Sequence, residues 1–177
     1  MNRFPTLLQR EWLQHKTGWM VVMLVPIGIA LLVLAAGHAQ VDVDDDVRVE
    51  FSRLPALTLT AIAIIGTGVA SFVLAWLSSL LQSPGLARRD QQDRSIEFWL
   101  SLPIGHTPAL AAPLLAHLVL FPLAALGIGM LAGHLVSLLL VARFIGVGDW
   151  FTLPWGALTL TWVSVMLRAA LGLVLAT

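Results

Sequence analysis

The stretch from Trp19 to Gly37 reads WMVVMLVPIGIALLVLAAG and contains no charged residue. Crossing a hydrocarbon core of roughly 30 Å at 1.5 Å per residue takes about 20 apolar residues, so this run is long enough to span a bilayer. A helix is the conformation it must take, because lipid offers no partner to an unpaired backbone amide or carbonyl. Moving outward from it, three further runs have the same character: residues 54–81, 109–142 and 153–177, the last containing Arg168. The expected fold is all-α: one transmembrane domain, 1–177, built as a polytopic helical bundle.

Composition agrees. Of 177 residues, 58% are hydrophobic and 11% charged, with a mean hydropathy of +0.89; soluble domains carry about 25% charged residues. Ten basic and ten acidic side chains cancel, so nothing in the net charge points to nucleic acid or to a strongly acidic substrate. Cysteine is absent, which excludes disulfides, thiolate nucleophiles and cysteine metal sites. Tyrosine is absent too, while most of the seven Trp lie near the ends of the apolar runs, as in an interfacial aromatic belt.

Basic residues in short loops are retained on the cytoplasmic side. The N-terminal segment carries Arg3, Arg10 and Lys16, and the loop after the second run carries Arg88, Arg89 and Arg94. Both are expected to face the cytoplasm. The loop between the first two runs holds Arg48 and Arg53 among Asp42, Asp44, Asp45, Asp46 and Glu50, which fits the outer face. Ahead of the first span, Phe4, Leu7, Leu8 and Trp12 fall at roughly helical spacing and predict an N-terminal interfacial helix. The alternative for this region is a signal peptide cleaved near Gly37-His38-Ala39, but the segment before the apolar run is long for one.

The third run exceeds one untilted span. A hairpin near Gly127, Gly129 and Gly133 would invert everything downstream and place Arg143 inside. The favoured reading is one long helix, because a turn within the bilayer would strand backbone groups and no turn-forming cluster marks one. Pro26, Pro113 and Pro122 predict kinks or local loosening, not termination.

The most informative segment is the loop 82–107, QSPGLARRDQQDRSIEFWLSLPIGHT. Ser83-Pro84-Gly85 predicts a break after the second span. Beyond it, residues 87–102 are patterned as a short amphipathic helix, with Ile96, Trp99 and Leu100 on related faces and Pro103 ending it. Such a helix presents a surface to a soluble partner or to lipid headgroups.

Within it, Asp90-Gln91-Gln92-Asp93-Arg94-Ser95-Ile96-Glu97-Phe98-Trp99-Leu100-Ser101-Leu102-Pro103 resembles the D-x-x-D-x-S-I-x-F-W-x-S-L-P loop of ABC-2 type transporter permeases, the membrane subunits of bacterial ABC exporters. The likeness extends more weakly over the whole chain. It implies that this loop is a cytoplasmic coupling helix docking into a groove of an ATP-binding subunit. Asp90, Asp93 and Arg94 would then make polar contacts and cap the helix, Phe98 and Trp99 would fill the partner's pocket, Leu102 and Pro103 would fix re-entry into the membrane, and Ser95 and Ile96 belong to the same docking surface. Aromatic anchors suit a compact docking surface. The implied function is export of a solute driven by ATP hydrolysis in that separate subunit, together with a second copy or a related permease.

Such permeases have six spans, so a chain ending after a fourth is expected to be a truncated piece. No Walker motif is present. The chain is therefore expected to be no enzyme and to bind no cofactor of its own, with ATP and Mg held by the partner. The alternative function is a membrane scaffold or sensor whose loop binds another protein. An intramembrane enzyme has no nucleophile-elbow pattern behind it.

Gly129 with Gly133, and Gly66 with Ala70, give small-x-x-x-small pairs suited to close helix packing, within the subunit in preference to a dimer seam. Charge within lipid costs at least a few kcal/mol, so Arg168 is expected to snorkel or find a partner. His117 and His134 lie too far apart along one helix to share a metal, and each is expected to be a hydrogen-bonded core residue. His38 beside the outer aspartates lacks a calcium-loop spacing. No catalytic or metal site is expected.

Overall fold

The computed structural model describes residues 4–39, 54–92 and 106–176, and the described chain is helical with no strand. The elements are α1 (Phe4–Ala39), α2 (Ala56–Gln92), α3 (His106–Leu115), a π-helical turn (Ala116–Leu120), α4 (Phe121–Phe144), α5 (Val147–Phe151) and α6 (Trp155–Ala176). Four helical stretches are long and apolar enough to cross a membrane, within α1, α2, the third stretch and α6.

Residues 4–18 run without interruption into the first span, so α1 is 36 residues long. At 1.5 Å per residue that is about 54 Å, well beyond the hydrocarbon thickness. Its buried stripe follows i+4 spacing: Leu7, Glu11, Trp19, Met23 and Ile27, with His15 half-buried in the same row. Trp12, expected on the apolar side of an interfacial helix, is 43% exposed.

The expected break at Ser83-Pro84-Gly85 does not occur, because α2 continues through these residues to Gln92. Turn propensity yields here to the helix already established by the long apolar run. A helix is the conformation that keeps backbone groups paired at the membrane boundary.

The third stretch forms one rod. α3, the π-turn and α4 are contiguous from His106 to Phe144, with Gly127, Gly129 and Gly133 inside α4 and no hairpin among them. The π-turn has a local cause. Pro122 lacks an N–H and its ring crowds the carbonyl four residues back, and the ladder absorbs this by a wider turn in which the Phe121 N–H donates to the Ala116 carbonyl.

The core is the seam between α2 and α4. A Cβ added at Gly129 would lie 2.7 Å from the Thr67 carbonyl oxygen, and one at Gly133 would lie 2.5 Å from the Ile64 Cα. The backbones therefore meet at a distance only glycine permits. Opposite them α2 presents a buried row of small and polar residues, Thr60, Ala63, Thr67, Ser71 and Ala75. The Thr67 hydroxyl, 2.7 Å from the Ala63 carbonyl and 2.8 Å from the Gly129 carbonyl, bridges the two helices. Gly66 and Ala70, the other small pair, face outward, and it is Gly68 that packs against Met130. Interhelical bonds of this kind average about 0.6 kcal/mol in membranes. Thr67→Val is accordingly expected to lower the unfolding free energy by roughly 0.6–1.7 kcal/mol, measured by steric trapping in bicelles.

Around this seam, α1 lies parallel to the rod, with Trp19 stacked on Phe121 at 4.7 Å and the Arg143 guanidinium donating to the Leu34 carbonyl at 3.2 Å. α6 covers part of the opposite side: Trp162, Val165, Met166 and Ala169 pack on Ile64, Leu126 and Met130. Its exposed large hydrophobic residues are leucine and valine, including Leu160, Leu167, Leu171 and Leu175. The hydroxyls of Thr159 and Thr161 are satisfied internally by the carbonyls of Trp155 and Ala157 at 2.8 and 2.9 Å, the arrangement a hydroxyl needs where no water reaches it.

Candidate functional site

Two ends of the bundle carry polar chemistry. At the end where the rod meets α5 and α6, the Trp150 indole donates to the Ser137 hydroxyl at 2.9 Å, and that hydroxyl donates to the His134 carbonyl at 2.8 Å. His134 Nδ1 lies 2.9 Å from the Met130 carbonyl and the ring stacks on Trp155 at 5.8 Å. This is a satisfied histidine in an aromatic collar, as Trp residues at a membrane boundary provide.

The other end differs. Parallel packing of α1 on the rod, with a 36-residue α1 and a 37-residue α2 running antiparallel, brings the first half of α1, α2 around Ala75 and the π-turn together. There Glu11 of α1 is 3% exposed and His117 of the π-turn 1% exposed. Arg10 donates to Glu11 Oε1 at 2.7 Å. The second oxygen, Oε2, faces two imidazoles, 3.9 Å from His15 Nε2 and 3.8 Å from His117 Nε2. The rings of His15 and His117 meet edge to face at 4.7 Å. Trp19 closes the floor, 5.1 Å from His117 and 5.9 Å from His15.

The local sequence explains the convergence. Glu11, His15 and Trp19 are spaced i, i+4, i+8 and so share one face of α1. His117 enters from the rod because the π-turn imposed before Pro122 holds it inward beside buried Ala116. His117 lies twelve positions before Gly129, about 18 Å along the axis, which sets the cluster toward one end of the bundle and away from the seam.

His117 is buried as expected but is not hydrogen-bonded. Neither Nδ1 nor Nε2 has a partner within hydrogen-bonding distance, and 3.8 Å to Glu11 exceeds that range. The sequence signal was available, in the Glu11/His15/Trp19 spacing, but the partner residue lies far along the chain.

Of the residues expected to dock a partner, Asp90 falls in the last turn of α2. Asp93, Arg94, Ser95, Ile96, Phe98, Trp99, Leu102 and Pro103 lie outside the described residues. Arg168 is exposed on α6 and lines an open recess of about 380 Å³ with Leu160, Thr161, Ser164 and Val165. Among the described residues it makes no ion pair.

Compared with known proteins, the chain matches no family model, no curated protein and no solved structure.

Proposed function

We propose that this chain is a membrane subunit of an ABC-2 type exporter in the bacterial inner membrane, with its N-terminus cytoplasmic, coupling ATP hydrolysis by a separate ATP-binding subunit to solute efflux. One observation supports this reading above the others. The motif at 90–103 joins α2, which ends at Gln92, to the rod, which begins at His106. These two elements are locked together at Gly129 and Gly133.

A force applied by a soluble partner to that loop acts on both halves of the tightest seam in the molecule. Packed helices with discrete arrangements are what carries coupling over such distances. The first turns of α1, with Arg10 and Lys16, lie at the same end and supply contacts for headgroups. The exposed apolar faces of α1 and α6 suit lipid, a second copy or a related permease.

The test is co-expression with an ATP-binding cassette protein encoded beside the gene, followed by purification through a tag on this chain. The proposal expects a stable complex whose ATPase activity in nanodiscs exceeds that of the cassette protein alone. Absence of a complex contradicts it, and a complex with unchanged ATPase activity supports the scaffold alternative.

A further inference from the structure

We propose that Glu11, His15 and His117 form a binding site for one divalent transition-metal ion of the zinc class, which clips α1 to the rod at the π-turn. The proposal goes beyond the transport reading and does not depend on it.

The geometry is that of a three-ligand site. The ligand atoms of the three residues lie within 4.8 Å of one another. Zinc–nitrogen and zinc–oxygen bonds of about 2.0–2.2 Å in a tetrahedron put neighbouring ligand atoms roughly 3.3–3.6 Å apart. The two separations from Glu11 Oε2, 3.8 and 3.9 Å, need to contract by a few tenths of an ångström, and the two imidazole nitrogens, within 4.8 Å of each other, by up to about 1.5 Å. Such a contraction is within the reach of side-chain torsions.

Burial supplies the second, independent observation. An imidazole has two ring nitrogens that seek partners, and a buried polar group left unsatisfied costs about 1–3 kcal/mol. His117 is 1% exposed and both its nitrogens are orphaned, while its Nε2 lies 3.8 Å from Glu11 Oε2. A cation there would satisfy one nitrogen and offset the charge of a carboxylate that is itself 3% exposed.

The carboxylate is divided to suit. Arg10 holds Oε1 and leaves Oε2 facing the imidazoles, as a second-shell partner orients a ligating carboxylate. Two imidazoles and one carboxylate favour zinc and its first-row neighbours over magnesium or calcium, which take oxygen ligands. Three protein ligands leave a fourth position for water or a small anion.

The experiment uses the full chain in phosphatidylethanolamine/phosphatidylglycerol nanodiscs, stripped with chelator and titrated with Co(II) and then Zn(II). One equivalent of Co(II) is expected to give intense visible d–d bands of low-symmetry coordination, displaced stoichiometrically by zinc. Glu11→Gln and His15→Ala are each expected to weaken binding at least tenfold, and Arg10→Ala by roughly tenfold to a hundredfold. His134→Ala, at the other end of the rod, is expected to bind as the parent does. His15 is only half-buried, so its variant remains informative if the His117→Ala chain fails to fold. Absence of stoichiometric Co(II) bands in the parent overturns the proposal, as does parent-like binding by folded Glu11→Gln and His15→Ala chains.

Discussion

A chain carrying Phe98→Ala and Trp99→Ala is expected to insert and fold as the parent does and to lose its ATP-binding partner on purification. Large aromatic anchors at the centre of an interface cost about 2 kcal/mol or more each when truncated. Two adjacent ones together remove about 4 kcal/mol, which weakens binding roughly a thousandfold. A micromolar complex then becomes a millimolar one and does not survive washing. The substitutions lie in the segment joining α2 to the rod, and the four candidate spans contain neither residue, so membrane insertion is expected to be unchanged. Leu171→Ala, on the exposed side of α6, is the control that keeps the partner. Full retention of the partner by the double variant would remove the docking role from the loop.

Gly133→Leu is expected to have the largest effect on the fold itself. Even the first carbon of a side chain would fall 2.5 Å from the Ile64 Cα and 2.5 Å from the Thr67 hydroxyl oxygen, and neither backbone nor a bonded threonine can step aside. α2 and α4 must separate, losing the Thr67–Gly129 bond and the contacts of Met130 with the seam. Overpacking of this kind costs about 3 kcal/mol, which corresponds to a melting temperature lowered by roughly 6–12 °C. Gly66→Leu places the same bulk where nothing lies within 4 Å and is expected to melt with the parent. Equal melting temperatures for the two variants in scanning fluorimetry would mean that the seam is not where the helices meet.

Gly129 and Gly133 were legible in the sequence as a G-x-x-x-G pair in an apolar helix, a pattern suited to close packing within a subunit or at a dimer seam. The four long apolar helices were legible for the same kind of reason: a run such as Trp19–Gly37 is long and apolar enough to cross a membrane. No turn forms at Ser83-Pro84-Gly85, because local propensity is weaker than the demand of a long helix for continuity. α1 likewise continues as one helix from Phe4 to Ala39 where the pattern predicts two elements. Residues 4–18 look like a separate element when only their apolar positions are counted, yet the structure buries Glu11 and turns Trp12 outward.

The polar cluster could not be assembled from sequence by pattern alone. Glu11 and His15 advertise a shared face through their i, i+4 spacing, but His117 joins them only because α1 lies parallel to the rod. Its inward placement depends further on the π-turn before Pro122. A proline inside an apolar run signals that the ladder must give way. It does not say whether by a kink, a break or a wide turn.

The orientation of the bundle underlies both the docking loop and the transport reading, and the absence of cysteine makes it directly measurable. Single cysteines placed at Asp45, Gln91 and Gly148 in intact cells are to be treated with a membrane-impermeant maleimide. Labelling of the Asp45→Cys and Gly148→Cys chains from outside, with Gln91→Cys labelled only after the inner membrane is opened, is the predicted result. Outside labelling of Gln91→Cys, or protection of both others, would contradict a four-span bundle whose loop faces the cytoplasm.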